Sequence, residues 1–97
     1  MKRIILDLNP FKTEDKALEY IWLEMDIDES FGQSLSGLYD ALAAMTENIC
    51  VGVFCPPQDE TGAYEYGWKV KRVFWDAQAD NEHLCVIYGD LEENYAE

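Results

Sequence analysis

The chain of 97 residues is 48% hydrophobic and 13% aromatic, which excludes a disordered tail and suits one domain over 1–97 with one modest core. Its 7 Lys+Arg stand against 20 Asp+Glu, a formal net charge of −13; that field disfavours nucleic acid and anionic membranes as partners and favours basic ones. No apolar run nears the roughly 20 residues of a membrane-spanning helix, and three cysteines without CxxC spacing argue against a disulfide framework or structural zinc and fit a reducing cytoplasm.

At the start, Ile4-Ile5-Leu6-Asp7-Leu8 reads as a first strand. The preceding Lys2-Arg3 pair is not expected to open a signal peptide, because Asp7 interrupts the apolar run. Thr13 is a helix-capping residue followed by Glu14 and Asp15, which suit the positive end of a helix dipole. Leu18, Ile21, Trp22 and Met25 follow at i, i+3, i+4 and i+7, so a first amphipathic helix is predicted. The stretch Asp26–Gly32 breaks it. A second helix is predicted with Ser34 as its cap and Leu35, Leu38, Leu42 and Met45 as one stripe. Gly32, just before it, suits a turn or a left-handed backbone position.

Ile49-Cys50-Val51-Gly52-Val53-Phe54 reads as a second strand, and Cys55–Gly62 as a loop by composition. A third helix is predicted from about Trp68 to Asp80, with Val70, Val73, Phe74 and Ala77 on one face. Leu84-Cys85-Val86-Ile87-Tyr88 is the third strand, and the acidic tail from Asp90 is expected to fray. Strands two and three are nearly continuously apolar, as in strands covered on both faces or in a short parallel sheet packed by helices. Helical crossovers between strands favour a parallel sheet, giving a β-α-α-β-α-β domain of the α/β class. Cys50, Cys55 and Cys85 are expected as core or strand-end residues.

Signals for catalysis are few. His83 is the one histidine, and no P-loop, GxGxxG, HExxH or nucleophile elbow is present, so neither an enzyme nor a metal or other cofactor is expected. The informative stretch is Ser30–Leu42. Ser36, Asp40 and Ala43 form a polar stripe opposite the leucines, beside Tyr39. By itself this stripe reads as an ordinary solvated face, with a recognition surface as the lesser alternative. Gly37 inside a helix costs roughly 1 kcal/mol relative to alanine, so close packing or the close approach of another group is expected there. Trp75 lies off the apolar stripe of the third helix; packing beneath the loop of residues 56–67 is expected, with an interface anchor as the alternative.

The run Phe31-Gly32-Gln33-Ser34-Leu35-Ser36-Gly37-Leu38-Tyr39-Asp40-Ala41-Leu42 resembles the barstar family, intracellular inhibitors of barnase-type ribonucleases, whose mark is an aromatic-Gly turn feeding an Asn-Leu-Asp-Ala-Leu-x-Asp-x-Leu helix. The element order agrees up to about Gly89, and Val73–Ala79 is similar to the family's last helix. The resemblance implies a three-stranded parallel sheet, order 1-2-3, packed by helices. It also implies a binding face on the second helix and the turn before it. On that face Asp40 matches the family's second helix aspartate, which enters the ribonuclease phosphate site, and Tyr39 stands where the family has an aromatic. Phe31 and Gly32 match the turn; Asp76 matches an acid on the last helix; Met45 falls where an aromatic contact is common. Ser36 replaces the family's first helix aspartate, Ser34 its asparagine, Gly37 an alanine and Ser30 an aromatic. The implied contact set is therefore Ser30, Phe31, Gly32, Ser34, Ser36, Gly37, Tyr39, Asp40, Ala43, Met45 and Asp76. The implied function is inhibition of a basic ribonuclease by a cytoplasmic immunity protein, a monomer when free. The alternative is an interaction module for a basic partner that is not a nuclease.

Overall fold

The computed structural model describes residues 2–56 and 60–89. The acidic tail and the centre of the predicted loop, Pro57-Gln58-Asp59, lie outside the described residues. Six elements follow in the order β1 (Lys2–Asp7), α1 (Glu14–Glu24), α2 (Leu35–Ala43), β2 (Ile49–Phe54), α3 (Gly67–Asp80) and β3 (Leu84–Gly89). The strands form one parallel sheet in the order β1-β2-β3, as expected for strands joined by helices. Ile4, Val51 and Val86 share one row across it, and Leu6 and Val53 the next.

Alternation within the strands decides where the core sits. Ile4, Leu6, Ile49, Val51, Val53 and Leu84 project to one face and are buried there. Against them pack Leu18, Ile21 and Trp22 of α1, Leu38 and Leu42 of α2, and Val70, Phe74 and Ala77 of α3. The predicted helical stripes are therefore the core-facing stripes. Met25 is buried as the C-cap of α1, and Met45 lies two residues beyond α2, partly buried against the core. Thr13 stands at the N-cap of α1 without a capping hydrogen bond from its side chain.

The other sheet face corrects the expectation of cover on both sides. Arg3, Ile5, Cys85 and Ile87 are exposed there, Ile5 at 65% and Ile87 at 48%. Between Ile5 and Ile87 the row passes through Gly52, where a Cβ would come within 2.9 Å of the Phe54 ring. The ring lies over the glycine and fills the missing side chain's place. Of the cysteines only Cys55 is fully buried; Cys50 is half-buried and Cys85 exposed, so the two strand cysteines are not core residues. Trp75 is likewise 58% exposed rather than packed away, sharing a shallow cleft with Trp68, Lys71 and Arg72. No helix among the described residues is long and apolar enough to cross a membrane.

Candidate acidic recognition face

α2 presents three stripes, as a period of 3.6 requires. Leu35, Leu38 and Leu42 point inward, Leu38 and Leu42 fully buried. Gly37 and Ala41 are buried, Gly37 against the backbone of Gly32, while Ser36, Asp40 and Ala43 are exposed. Tyr39 borders the exposed stripe and is half-buried.

The helix is fastened at both ends. At its start the Ser34 hydroxyl accepts from the Gly37 backbone N–H at 3.0 Å and donates to the Gly32 carbonyl at 3.4 Å. At its end Asn81, buried beyond α3, donates its side-chain amide to the carbonyls of Leu42 (2.8 Å) and Met45 (3.0 Å). The Asn81 Oδ1 accepts from the His83 backbone N–H at 3.0 Å. One asparagine thus joins the end of α2 to the start of β3 and satisfies carbonyls that a helix terminus leaves without partners. Nothing in local periodicity marks it; an asparagine directly after a predicted helix was the available signal.

Gly37 has a physical cause. A Cβ at this position would lie 1.8 Å from the Gly32 carbonyl oxygen, so the turn's backbone occupies the space of the missing side chain. Gly37 is accordingly buried and unavailable to a partner, a correction to its place in the implied contact set. Gly32 is exposed with open space around its α-carbon, and its φ is not in the left-handed region. Its role is therefore in the turn, by close approach rather than by unusual backbone conformation.

The loop before α2 is ordered by its own polar groups. Asp28 Oδ1 accepts from the Ser30 backbone N–H at 2.8 Å, and this bond together with the Ser30 hydroxyl holds the Asp28 carboxyl below the usual carboxylate range. The Phe31 carbonyl accepts from the Trp22 indole N–H at 3.2 Å. Ser30 remains exposed, while the Phe31 ring is partly buried against the core. Phe31 and Met45 line one groove of about 390 Å³ with Met25, Ala41, Ala44 and Ile49.

On the other side of α2 lies an acidic ridge. The Tyr39 hydroxyl donates to the Asp80 carboxylate of α3. That hydrogen bond pushes the Tyr39 phenol above the usual tyrosine range, with partial desolvation and the charges of Asp80, Asp76 and Asp40 acting in the same direction. Asp40 and Asp76, from different helices, therefore both lie close enough to act on one phenol. Asp76 also pairs with Arg72 across one helical turn at 3.4 Å. Asp40 is exposed, and among the described residues its carboxylate has no hydrogen bond or ion pair. The implied contact residues thus fall into two neighbouring patches: the ridge, with Ser36, Tyr39, Asp40, Ala43 and Asp76, and the groove with Phe31 and Met45. Ser30 and Gly32 sit in the loop, and Ser34 acts as the helix cap. Asp80 belongs to the ridge and was missed by motif matching; its i+4 spacing from Asp76 was the clue.

No family model and no curated protein sequence matches the chain. Among the described residues no three His, Cys, Asp or Glu side chains cluster as a metal site would.

Proposed function

We propose that this chain is a barstar-like, non-catalytic inhibitor that acts in the cytoplasm and plugs the active site of a small basic ribonuclease with the acidic ridge of α2. The single observation behind this is Asp40: an exposed carboxylate without a partner among the described residues, held on a helix capped at both ends, with Asp76 and Asp80 beside it. A ribonuclease binds RNA phosphate through Lys, Arg and His in a concave site. A rigidly held carboxylate imitates that phosphate, and its pairing with an arginine is charge-assisted and can be bidentate. A formal charge of −13 steers a cationic enzyme toward the ridge and makes association fast and salt-sensitive. Fixing the helix beforehand lowers the ordering cost of binding.

The test is calorimetric titration against a small basic barnase-type ribonuclease, with RNA cleavage measured in parallel. Wild type binds one to one and blocks cleavage. Asp40→Ala leaves the partner's cations buried without a counter-charge and weakens binding by about 3 kcal/mol, roughly 150-fold in Kd. Equal affinity of wild type and Asp40→Ala would remove Asp40 from the site.

A second reading, a basic partner that is not a nuclease, is favoured by Ser36, an exposed hydroxyl where the barstar pattern has an aspartate. Ser36→Asp separates the two: a ribonuclease binds the variant more tightly, whereas a partner fitted to the hydroxyl binds it less tightly.

A further inference from the structure

The open face of the sheet carries a second arrangement that the ridge does not use. Cys50 of β2 and Cys85 of β3 are direct partners in the parallel register, and Arg3 of β1 is the partner of Cys50 on its other side. Arg3, Cys50 and Cys85 therefore form one row across three strands, on the face that no helix among the described residues covers. Both thiols are free, Cys85 exposed and Cys50 half-buried. Burial, and then the neighbouring thiol, raise the Cys50 thiol above its usual range, while the Arg3 guanidinium acts in the opposite direction.

We propose that Cys50 and Cys85 form a two-thiol site for a soft monovalent d10 cation of the Cu(I) class. The geometry suits it. Neighbouring strands lie about 4.8 Å apart, and in-register side chains stand side by side. A metal–thiolate bond is about 2.3 Å, so two such bonds set end to end span about 4.6 Å, which matches the strand spacing. Soft thiolate ligands select Cu(I), zinc and iron–sulfur clusters over harder ions, and coordination number decides among these. No third His, Cys, Asp or Glu joins the pair among the described residues, and the next row is the apolar Ile5–Gly52–Ile87. This donor set suits a two-coordinate ion and not four-coordinate zinc. Binding transfers no electrons: two thiols lose their protons to solvent, two metal–sulfur bonds form, and the resulting bis-thiolate complex carries a net charge of −1. Arg3 supplies the counter-charge in the same row.

The experiment is an anaerobic competition in which the full chain withdraws Cu(I) from a chromophoric chelator, with native mass spectrometry of the product. Wild type takes one Cu(I) per monomer. Cys85→Ser, at an exposed position where folding is unaffected, and Cys50→Ser each weaken uptake at least 100-fold. Cys55→Ala leaves it unchanged. Arg3→Ala weakens it roughly threefold, as expected for losing one surface counter-charge. Uptake by Cys85→Ser equal to wild type, a copper-bridged dimer in place of a loaded monomer, or Zn(II) binding as tight as Cu(I) would each overturn the site.

Discussion

Replacing Gly37 by alanine sets two opposed effects against each other. On an unobstructed helix, Gly→Ala stabilises by about 1 kcal/mol, because glycine loses more backbone freedom. Here the new Cβ would meet the Gly32 carbonyl oxygen at 1.8 Å and its carbon at 2.9 Å. A comfortable carbon–oxygen contact needs about 3.3 Å, so the turn must retreat by about 1.5 Å. Displacing backbone in a packed site costs about 1–3 kcal/mol. The same carbonyl accepts from the Ser34 hydroxyl that caps Gly37, so up to about 1 kcal/mol of capping is lost with it. The expected net result is a loss of about 2 kcal/mol, a fall in Tm of roughly 10 °C for a domain of this size. Ser36→Ala, on the exposed face one residue earlier, is the reference and stays within about 0.5 kcal/mol of wild type. Urea unfolding of both variants, followed by tryptophan fluorescence, makes the measurement. A Gly37→Ala protein as stable as wild type, or more so, would show that the Gly32 carbonyl does not occupy that space.

Asn81→Ala removes the donor to two carbonyls at the end of α2 and the acceptor for His83; since the site is buried, a loss of about 2–4 kcal/mol is expected in the same assay. Asn81→Asp should be comparably harmful, because an ionised carboxylate cannot donate to carbonyls. Tyr39 provides the pH-dependent test. Its phenol is raised by Asp80, so the folded state holds this proton more tightly than the unfolded chain does. The stabilisation is fully present below the ordinary tyrosine value of about 10 and is lost as pH rises through the raised one. Absorbance at the tyrosinate band should show Tyr39 titrating late beside Tyr66, whose phenol is raised by burial, and Asp80→Asn should bring Tyr39 alone back towards the ordinary range; an unaltered titration curve would contradict the Tyr39–Asp80 contact.

Much of this protein is legible along the chain. The spacing of Leu18, Ile21, Trp22 and Met25, and of Val70, Phe74 and Ala77, places buried residues correctly because helical period and core contact are the same geometric fact. Parallel pairing follows from helices lying between strands. The exposed stripe of Ser36, Asp40 and Ala43 is legible for the same reason, and Ser34 as the cap follows from its chemistry.

What the chain could not disclose depends on packing between distant segments. Continuous apolar runs in β2 and β3 suggested cover on both faces, yet helices pack on one, leaving Ile5, Cys85 and Ile87 exposed; an apolar side chain does not specify which element covers it. Gly37 announced a close approach, but only the folded loop shows the Gly32 carbonyl there. Asn81 and Asp80 gained their roles from α2, some forty residues earlier in the chain. Sequence by itself therefore determined the elements and their inward stripes, which follow from local periodicity. The tertiary structure alone decided the outward chemistry: which carboxylates gather around Tyr39, and which thiols stand side by side, because strand register and helix docking join groups that the chain keeps far apart.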